Sequence, residues 1–455
     1  MSTKHSKAAA GFIANRQQEA WHDETLWMVR AKRDKMSRSL PEWERLRDLA
    51  RDIKLYSNSH LDTLLEEFER NATANGAIVH WAKDAAEHNA IVEEILKQHK
   101  AHTLIKSKSM LTEECGMNEY LFGKGYDIIE SDLGERILQW MKLKPSHIVM
   151  PAIHIKRQEV GKMMERVLGT EPGNADPTYL THSVRKDMRR KFLSADVAMT
   201  GANFAVASTG EIVVCTNEGN ADMGTSFPKV HIATFGLEKI VPNRAALGVF
   251  TRLLARSGTG QPITSYTSHY RKPKEGSEFH IIIVDNGRTD ILTQPDHIRT
   301  LNCIRCGQCM NTCPVYRRSG GYSYTYFIPG PIGINLGMLR NPKEYADNVS
   351  ACSLCLSCSN VCPAKVDLGE QIYRWRQKLD ELGKANKEKK LMSAGMKFLM
   401  DRPAWFNTAL KFAPLANQMP RCLVYNGLNG WGKGREMPIF AKESFNEMWK
   451  KNKIK

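Results

Sequence analysis

Residues 303–314 read CIRCGQCMNTCP and residues 352–363 read CSLCLSCSNVCP. Cys303, Cys306, Cys309 and Cys313 before Pro314 thus recur as Cys352, Cys355, Cys358 and Cys362 before Pro363. Both runs follow C-x2-C-x2-C-x3-C-P. Three thiolates of so tight a turn reach three irons of one cubane, while the fourth, held before proline, points towards the other cluster. The spacing therefore predicts two [4Fe-4S] clusters with exchanged ligands. One takes Cys303, Cys306, Cys309 and Cys362; the other takes Cys352, Cys355, Cys358 and Cys313. Structural zinc favours two C-x2-C pairs and would leave the third cysteine of each run poorly used.

The 38 residues between Cys313 and Cys352 predict a mainly helical two-cluster domain over 301–366 rather than a compact ferredoxin. Upstream, strand and helix patterns alternate: helix 61–74, strand 77–81, helix 85–97, strand 103–106, strand 126–130, helix 134–141 and strand 147–153. Further strands are expected at 197–199, 212–215, 231–234 and 280–284. This rhythm predicts an α/β domain with a largely parallel open sheet over 61–300. Residues 1–60 form an N-terminal helical extension, with Trp43, Leu46, Leu49, Ile53 and Tyr56 at helical spacing.

Past the second motif, Asp367 and Glu370 are placed to cap a helix whose Ile372, Trp375, Leu379 and Leu382 make one apolar stripe towards the cluster domain. It opens a basic helical C-terminal domain, 367–455. Residues 364–455 hold 19 Lys or Arg against 9 Asp or Glu, within a chain of net charge +16. Such a surface attracts nucleic acid, anionic lipid or an acidic protein alike. Trp405, Phe406, Trp431, Phe440 and Trp449 accompany the charge, but apolar residues are interleaved as in a packing segment and no nucleic-acid-reading motif appears. Docking to a protein or membrane face is expected, and nucleic acid is not.

The chain has 455 residues, more than one core usually serves. Its longest uncharged stretch, 319–339, is broken by five glycines and two prolines, so no membrane span is expected. The N-terminus has no continuous apolar segment of the secretory kind, which makes the expected location cytoplasmic, with a peripheral place on the inner membrane face as an extension. In a reducing compartment eleven cysteines point to metal or redox chemistry before disulfides. Cys115, Cys215 and Cys422 have no partner spacing and are expected as packed thiols. Arg305, Arg317 and Arg318 flank the first motif and either stabilise reduced clusters or sit as solvated surface arginines.

Beyond the cysteine runs, TGANFAVASTG (200–210), TNEGN (216–220), DNGR (285–288) and the Gly330-Pro331-Ile332-Gly333 turn resemble the lactate-utilisation protein B family, over nearly the whole chain. The resemblance implies that residues 61–300 are a LUD domain, an open α/β sheet similar to sugar-phosphate isomerases and CoA-transferases. It also implies partners: two sister subunits, one an iron–sulfur protein and one a lone LUD-domain protein. Together these oxidise L-lactate to pyruvate and pass electrons towards a membrane or quinone acceptor.

Within the α/β region, Gly201, Thr209, Gly210, Asn217, Gly219 and Asn220 make a candidate ligand loop between strands, with simple tight turns as the competing explanation. No dinucleotide, phosphate-loop or zinc-helix signature occurs, and His147, His154, His182 and His231 are scattered. No acid or base is assigned. The expected role is an electron relay. The alternatives are an oxidoreductase holding the hydroxy acid in its own α/β domain, and a basic iron–sulfur regulatory or nucleic-acid-binding protein. The oxidoreductase reading must explain how one-electron clusters take an electron pair from a hydroxy acid.

Overall fold

A computed structural model describes residues 4–383, 387–424 and 439–453. Ten strands are present among the described residues: β1 (Ile78–Ala82), β2 (Thr103–Lys106), β3 (Asp127–Glu130), β4 (Val197–Gly201), β5 (Phe204–Val206), β6 (Glu211–Thr216), β7 (Val230–Gly236), β8 (Ile240–Val241), β9 (Tyr266–Tyr270) and β10 (Glu278–Val284). Six form one sheet in the order β1-β10-β7-β4-β2-β3, every pair parallel. The rest form a small sheet, β8-β5-β6-β9, in which β6 runs antiparallel to β5 and β9. The fold is a parallel-sheet α/β domain followed by a helical cysteine-bearing region and a helical tail.

The β-branched run of β10 is buried from Phe279 to Val284, as expected of a central parallel strand with helices on both faces. Its side chains alternate. Phe279, Ile281 and Ile283 pack with Leu61, Leu64, Leu65 and Phe68 of helix Leu61–Ala74. Ile282 and Val284 pack on the opposite face with Val92, Ile95 and Leu96 of helix Ala85–Gln98. Full burial of each such side chain stabilises by about 1.5–3 kcal/mol.

One expected strand is absent. Residues 147–153 form turns, because Pro145 and Pro151 interrupt the segment and His147 folds back on it. The Nδ1 of His147 accepts from the backbone N–H of both Val149 and Met150 at 3.0 Å, a pairing that extended backbone does not offer. The Gly330–Gly333 turn is instead the first turn of helix Gly330–Arg340.

The chain divides into two compact units, residues 1–378 and 379–455. In the first, helices Arg16–Arg38 and Trp43–Ser59 lie against the cysteine region and the small sheet. Trp43, Leu46 and Ala50 share a core with Phe204 and Val213 of the small sheet, Phe250 and Leu253 of helix Arg244–Gly258, and Ile304 of the first cysteine loop. Ile372 and Trp375 of helix Leu368–Glu381 are buried as expected. Trp375 stacks on His297 at 4.0 Å and donates its indole N–H to Asn335 at 2.6 Å. Leu382 falls beyond the end of that helix and is exposed, so the apolar stripe stops one position short. Ser359 Oγ accepts the Gly369 N–H at 2.9 Å in its first turn.

In the second unit, helices Lys387–Met400 and Pro403–Phe412 meet edge to face through Phe398 and Trp405. The Asn417 side chain brackets the Phe440 backbone, and Ser444 and Glu447 form a capping box on helix Phe445–Lys450. Cys422, expected as a packed thiol, is exposed. Trp431 lies outside the described residues. No helix among the described residues is long and apolar enough to cross a membrane.

Candidate metal centres and an adjoining cavity

The two cysteine loops share one backbone device. Arg305 and Gly307 have φ of 59° and 75°, and the matching Leu354 and Leu356 have 54° and 59°. Left-handed backbone costs a non-glycine residue roughly 1 kcal/mol, so its recurrence at three such positions indicates a constraint from the surroundings. The geometric result is the same in both loops. Arg305 N–H points to Cys303 Sγ at 3.4 Å and Leu354 N–H to Cys352 Sγ at 3.2 Å. Val366 N–H makes a third such contact, to Cys362 Sγ at 3.4 Å. Short helices Gln308–Thr312 and Ser357–Val361 follow, each ending on the cysteine that precedes proline.

Mutual charge influence sorts the thiols into two neighbourhoods. Cys306 is acted on by Cys362 and Cys303, and Cys309 by Cys303, Cys306, Cys358 and Cys362. Cys313 is acted on by Cys352 and Cys355, and Cys358 by Cys313, Cys352 and Cys355. The last cysteine of each run therefore lies among cysteines of the other run. Burial pushes Cys313 and Cys362 up to about 11 and Cys358 up to about 12, with neighbouring thiolates adding to the shift. Cys309 is likewise pushed well above its ordinary value by the same causes. Desolvated thiols that repel one another as anions suit a polycationic core, and an all-sulfur donor set suits iron–sulfur clusters. The two neighbourhoods differ in access: Cys303, Cys306, Cys309 and Cys362 are all partly covered, whereas the other set runs from buried Cys358 to exposed Cys355.

Basic residues of the N-terminal helices hold the second loop from behind. Arg33 donates to the carbonyl of Val361 at 3.0 Å, and Arg47 to those of Cys362 at 3.0 Å and Asn360 at 2.8 Å. These carbonyls lie at the end of a five-residue helix, and that of Cys362 also accepts the Lys365 N–H at 3.3 Å. The arginines near the first motif divide. Arg317 pairs with Asp23 at 3.1 Å and lies over Trp27, and Arg318 pairs with Glu19 at 2.7 Å. Arg305 instead turns towards a cavity.

That cavity, about 390 Å³, lies at the carboxyl ends of β2, β4 and β7 and reaches Arg305 and Cys306 of the first cysteine loop. From β2 the chain leads outward to β3, and from β4 it leads back through β7. Crevices at such a reversal are the usual ligand sites of open α/β sheets. Of the candidate loop, Gly201, Asn217 and Asn220 line the cavity, and Thr209, Gly210 and Gly219 do not. Gly210, at φ +66°, packs against helix Leu61–Ala74, where a Cβ would lie 2.3 Å from Ala72 N. Thr209 offers its carbonyl to Asn75 at 2.9 Å, and Gly219 lies under the ring of Tyr266. These three positions serve turns and close packing. Cys215, expected as a packed thiol, also lines the cavity, and burial pushes it up to about 11.

From the DNGR stretch, Arg288 lines the cavity. Arg288 binds Glu114 through two 3.0 Å contacts and Glu238 through Nε, and this pairing holds Glu238 well below the usual carboxylate range despite its burial. Lys54 donates to the Glu238 carbonyl, and burial lowers its ammonium to about 8. Sequence reasoning missed Ser107, Thr234 and Lys239 as cavity residues, because each sits in or beside a strand and only the sheet order aligns them.

The LUD domain family matches residues 65–291, and the 4Fe-4S dicluster domain family matches residues 299–366. The chain is 38% identical over 449 residues to the uncharacterized electron transport protein YkgF of Escherichia coli K12, covering 93% of this chain and 91% of that protein. It is 39% identical over 434 residues to lactate utilization protein B of Bacillus pumilus, covering 91% and 90%. A lactate utilization protein B of Shouchella clausii is 37% identical over 435 residues, covering 93% and 91%. The dicluster match and the eight thiols agree on two [4Fe-4S] clusters.

Proposed function

The chain belongs to the lactate-utilisation protein B family, and from that premise we propose that it is the iron–sulfur electron-transfer subunit of an L-lactate oxidation system. The observation that carries this reading is the pair of adjoining thiol neighbourhoods, one against the cavity at the sheet ends and the other reaching the surface at Cys355. Cys303, Cys306, Cys309 and Cys362 hold the inner cluster; Cys313, Cys352, Cys355 and Cys358 hold the outer one. When bound, each cluster takes up and releases one electron at a time, so the pair links the protein interior to its surface. The protein's own part is to fix the thiolates and aim backbone N–H groups at sulfur.

Electrons come from lactate oxidised within a complex with sister subunits, an iron–sulfur protein and a lone LUD-domain protein, and leave towards a respiratory acceptor. The location is cytoplasmic, peripheral at the membrane face. The tail supports docking: Leu391, Trp405 and Phe412 are 77%, 61% and 64% exposed on its described helices, beside an excess of Lys and Arg. A scattered exposed Leu needs no explanation, but large residues clustered on short helices mark an interaction surface.

The test is anaerobic. Cluster-loaded protein receives L-lactate with and without its co-purifying partners while reduction is followed by electron paramagnetic resonance. Reduction only with partners establishes the relay. Reduction by the isolated protein moves oxidation into this chain, and no reduction in either case removes lactate as the electron source.

A further inference from the structure

We propose that the cavity beside the first cysteine loop binds a small 2-hydroxy or 2-oxo carboxylate, with Arg305 and Lys239 receiving the carboxylate and the hydroxyls of Ser107, Thr216 and Thr234 meeting its remaining oxygen. The substrate class rests on the electron-transfer reading above, whereas the existence of the site rests on the cavity's own unpaired polar groups. Ser107 Oγ, Thr216 Oγ1, Thr234 Oγ1 and Arg305 Nη1 are all buried without a hydrogen-bond partner. All four residues line this one cavity. Leaving a buried polar group unpaired costs about 1–3 kcal/mol, so four around one space mark a place where a polar occupant belongs.

Charge narrows the occupant. Glu238 is already engaged by Arg288, and its nearest approach to the Arg305 guanidinium is 3.9 Å. Lys239 feels the charge of Arg305 and of Glu238 and has no hydrogen bond among the described residues. Of the four cations that line the cavity, Arg288 is held by Glu114 and Glu238 and Lys108 donates to the Val149 carbonyl at 2.6 Å, which leaves Lys239 and Arg305 with one shared, occupied carboxylate between them. A monoanion with a planar carboxylate fits the arginine fork and the ammonium together. Glu114, Asp132 and Glu218 also line the space; burial and Asp132 push the Glu218 carboxyl up to about 7, and the negative charge that remains disfavours a doubly charged phosphate ester. Hydroxyl side chains can donate to an oxo oxygen or accept from a hydroxyl, which suits both members of a hydroxy acid and oxo acid pair. Arg305 follows Cys303 and precedes Cys306, so the bound acid would lie directly against the loop that holds the inner cluster.

Two explanations compete for Lys239 and Arg305: they hold a ligand, or they only balance the charge of the neighbouring cluster. The test separates them using full-length, cluster-loaded protein under anaerobic calorimetry, titrated in turn with L-lactate, pyruvate and inorganic phosphate. Saturable binding of lactate or pyruvate is expected, weakened at least about tenfold in Lys239→Met and in Thr234→Val, as loss of a charged or buried hydrogen bond implies. Thr234→Val preserves shape and is distant from the cysteines in sequence, so its iron content and resonance spectrum should stay unchanged while its binding falls. Absence of binding by the intact protein overturns the site, as does tighter binding of phosphate. Binding unaffected by both substitutions also overturns it and leaves Lys239 as a charge partner of the cluster. Failure of the relay is read separately, from cluster reduction in the presence of partners.

Discussion

Arg47 of the N-terminal helical extension donates its Nε–H to the backbone carbonyl of Cys362, the last cysteine of the second motif, at 3.0 Å across 315 residues of chain. The extension is thus part of the cluster-holding structure. The same guanidinium reaches the Asn360 carbonyl and is mostly buried. Arg47→Met should remove two charge-assisted bonds and cost about 2–5 kcal/mol. The expected outcome is a lowered unfolding temperature together with faster loss of iron under a chelator. Unchanged iron retention would show that the extension does not support the cluster.

Ligand exchange between the motifs makes a prediction about pairs. Cys303→Ser and Cys362→Ser each remove a ligand from one cluster, so each should retain about half the iron and the double variant should retain no less, since the damage falls on one site. Cys303→Ser with Cys313→Ser should lose both clusters. Iron analysis with resonance spin counting reads the difference. The opposite pattern would mean that each motif holds its own cluster.

His147 is buried at 1% exposure, and burial together with the charge of Lys108 lowers it to about 3 from an ordinary 6.5. The neutral ring is what the fold requires: Nδ1 accepts two backbone N–H groups, and Nε2 donates to Asn311 Oδ1 at 3.0 Å. Because the unfolded state takes up the proton first, this contribution is complete above about pH 6.5 and is lost progressively as pH falls towards 3. Denaturant unfolding at pH 7.5 and 5.5 should show a drop in stability that is smaller in His147→Gln. Equal drops would assign the acid sensitivity elsewhere.

Gly210→Ala should be destabilising by about 2 kcal/mol or more, since it combines positive φ with a Cβ 2.3 Å from the Ala72 backbone. If Gly210 only permits close packing, acid binding by the folded protein stays within twofold. A selective loss of binding at unchanged stability would return Gly210 to the ligand loop.

Much of this was legible in the sequence because the signals were local. The cysteine spacing carried the cluster chemistry, and the β-branched run 280–284 carried a central strand that appears as β10. The segment 147–153 misled for a physical reason. Its apolar residues have strand composition, but Pro145, Pro151 and the His147 ring settle the backbone as turns. Of the candidate loop, Gly201, Asn217 and Asn220 reach the cavity and Thr209, Gly210 and Gly219 do not, since a glycine on a cavity and a glycine under a helix look alike in a string of letters.

By itself the sequence determined most element types and the cluster class, because each depends on residues near one another along the chain. Tertiary structure alone decided what meets across it. Parallel stacking aligned the ends of β2, β4 and β7, and so brought Ser107 and Thr234 to one cavity with Arg305. It also set Arg47 behind Cys362. Such meetings depend on sheet order and helix packing, which are settled by burial of apolar faces over the whole domain rather than by any local pattern.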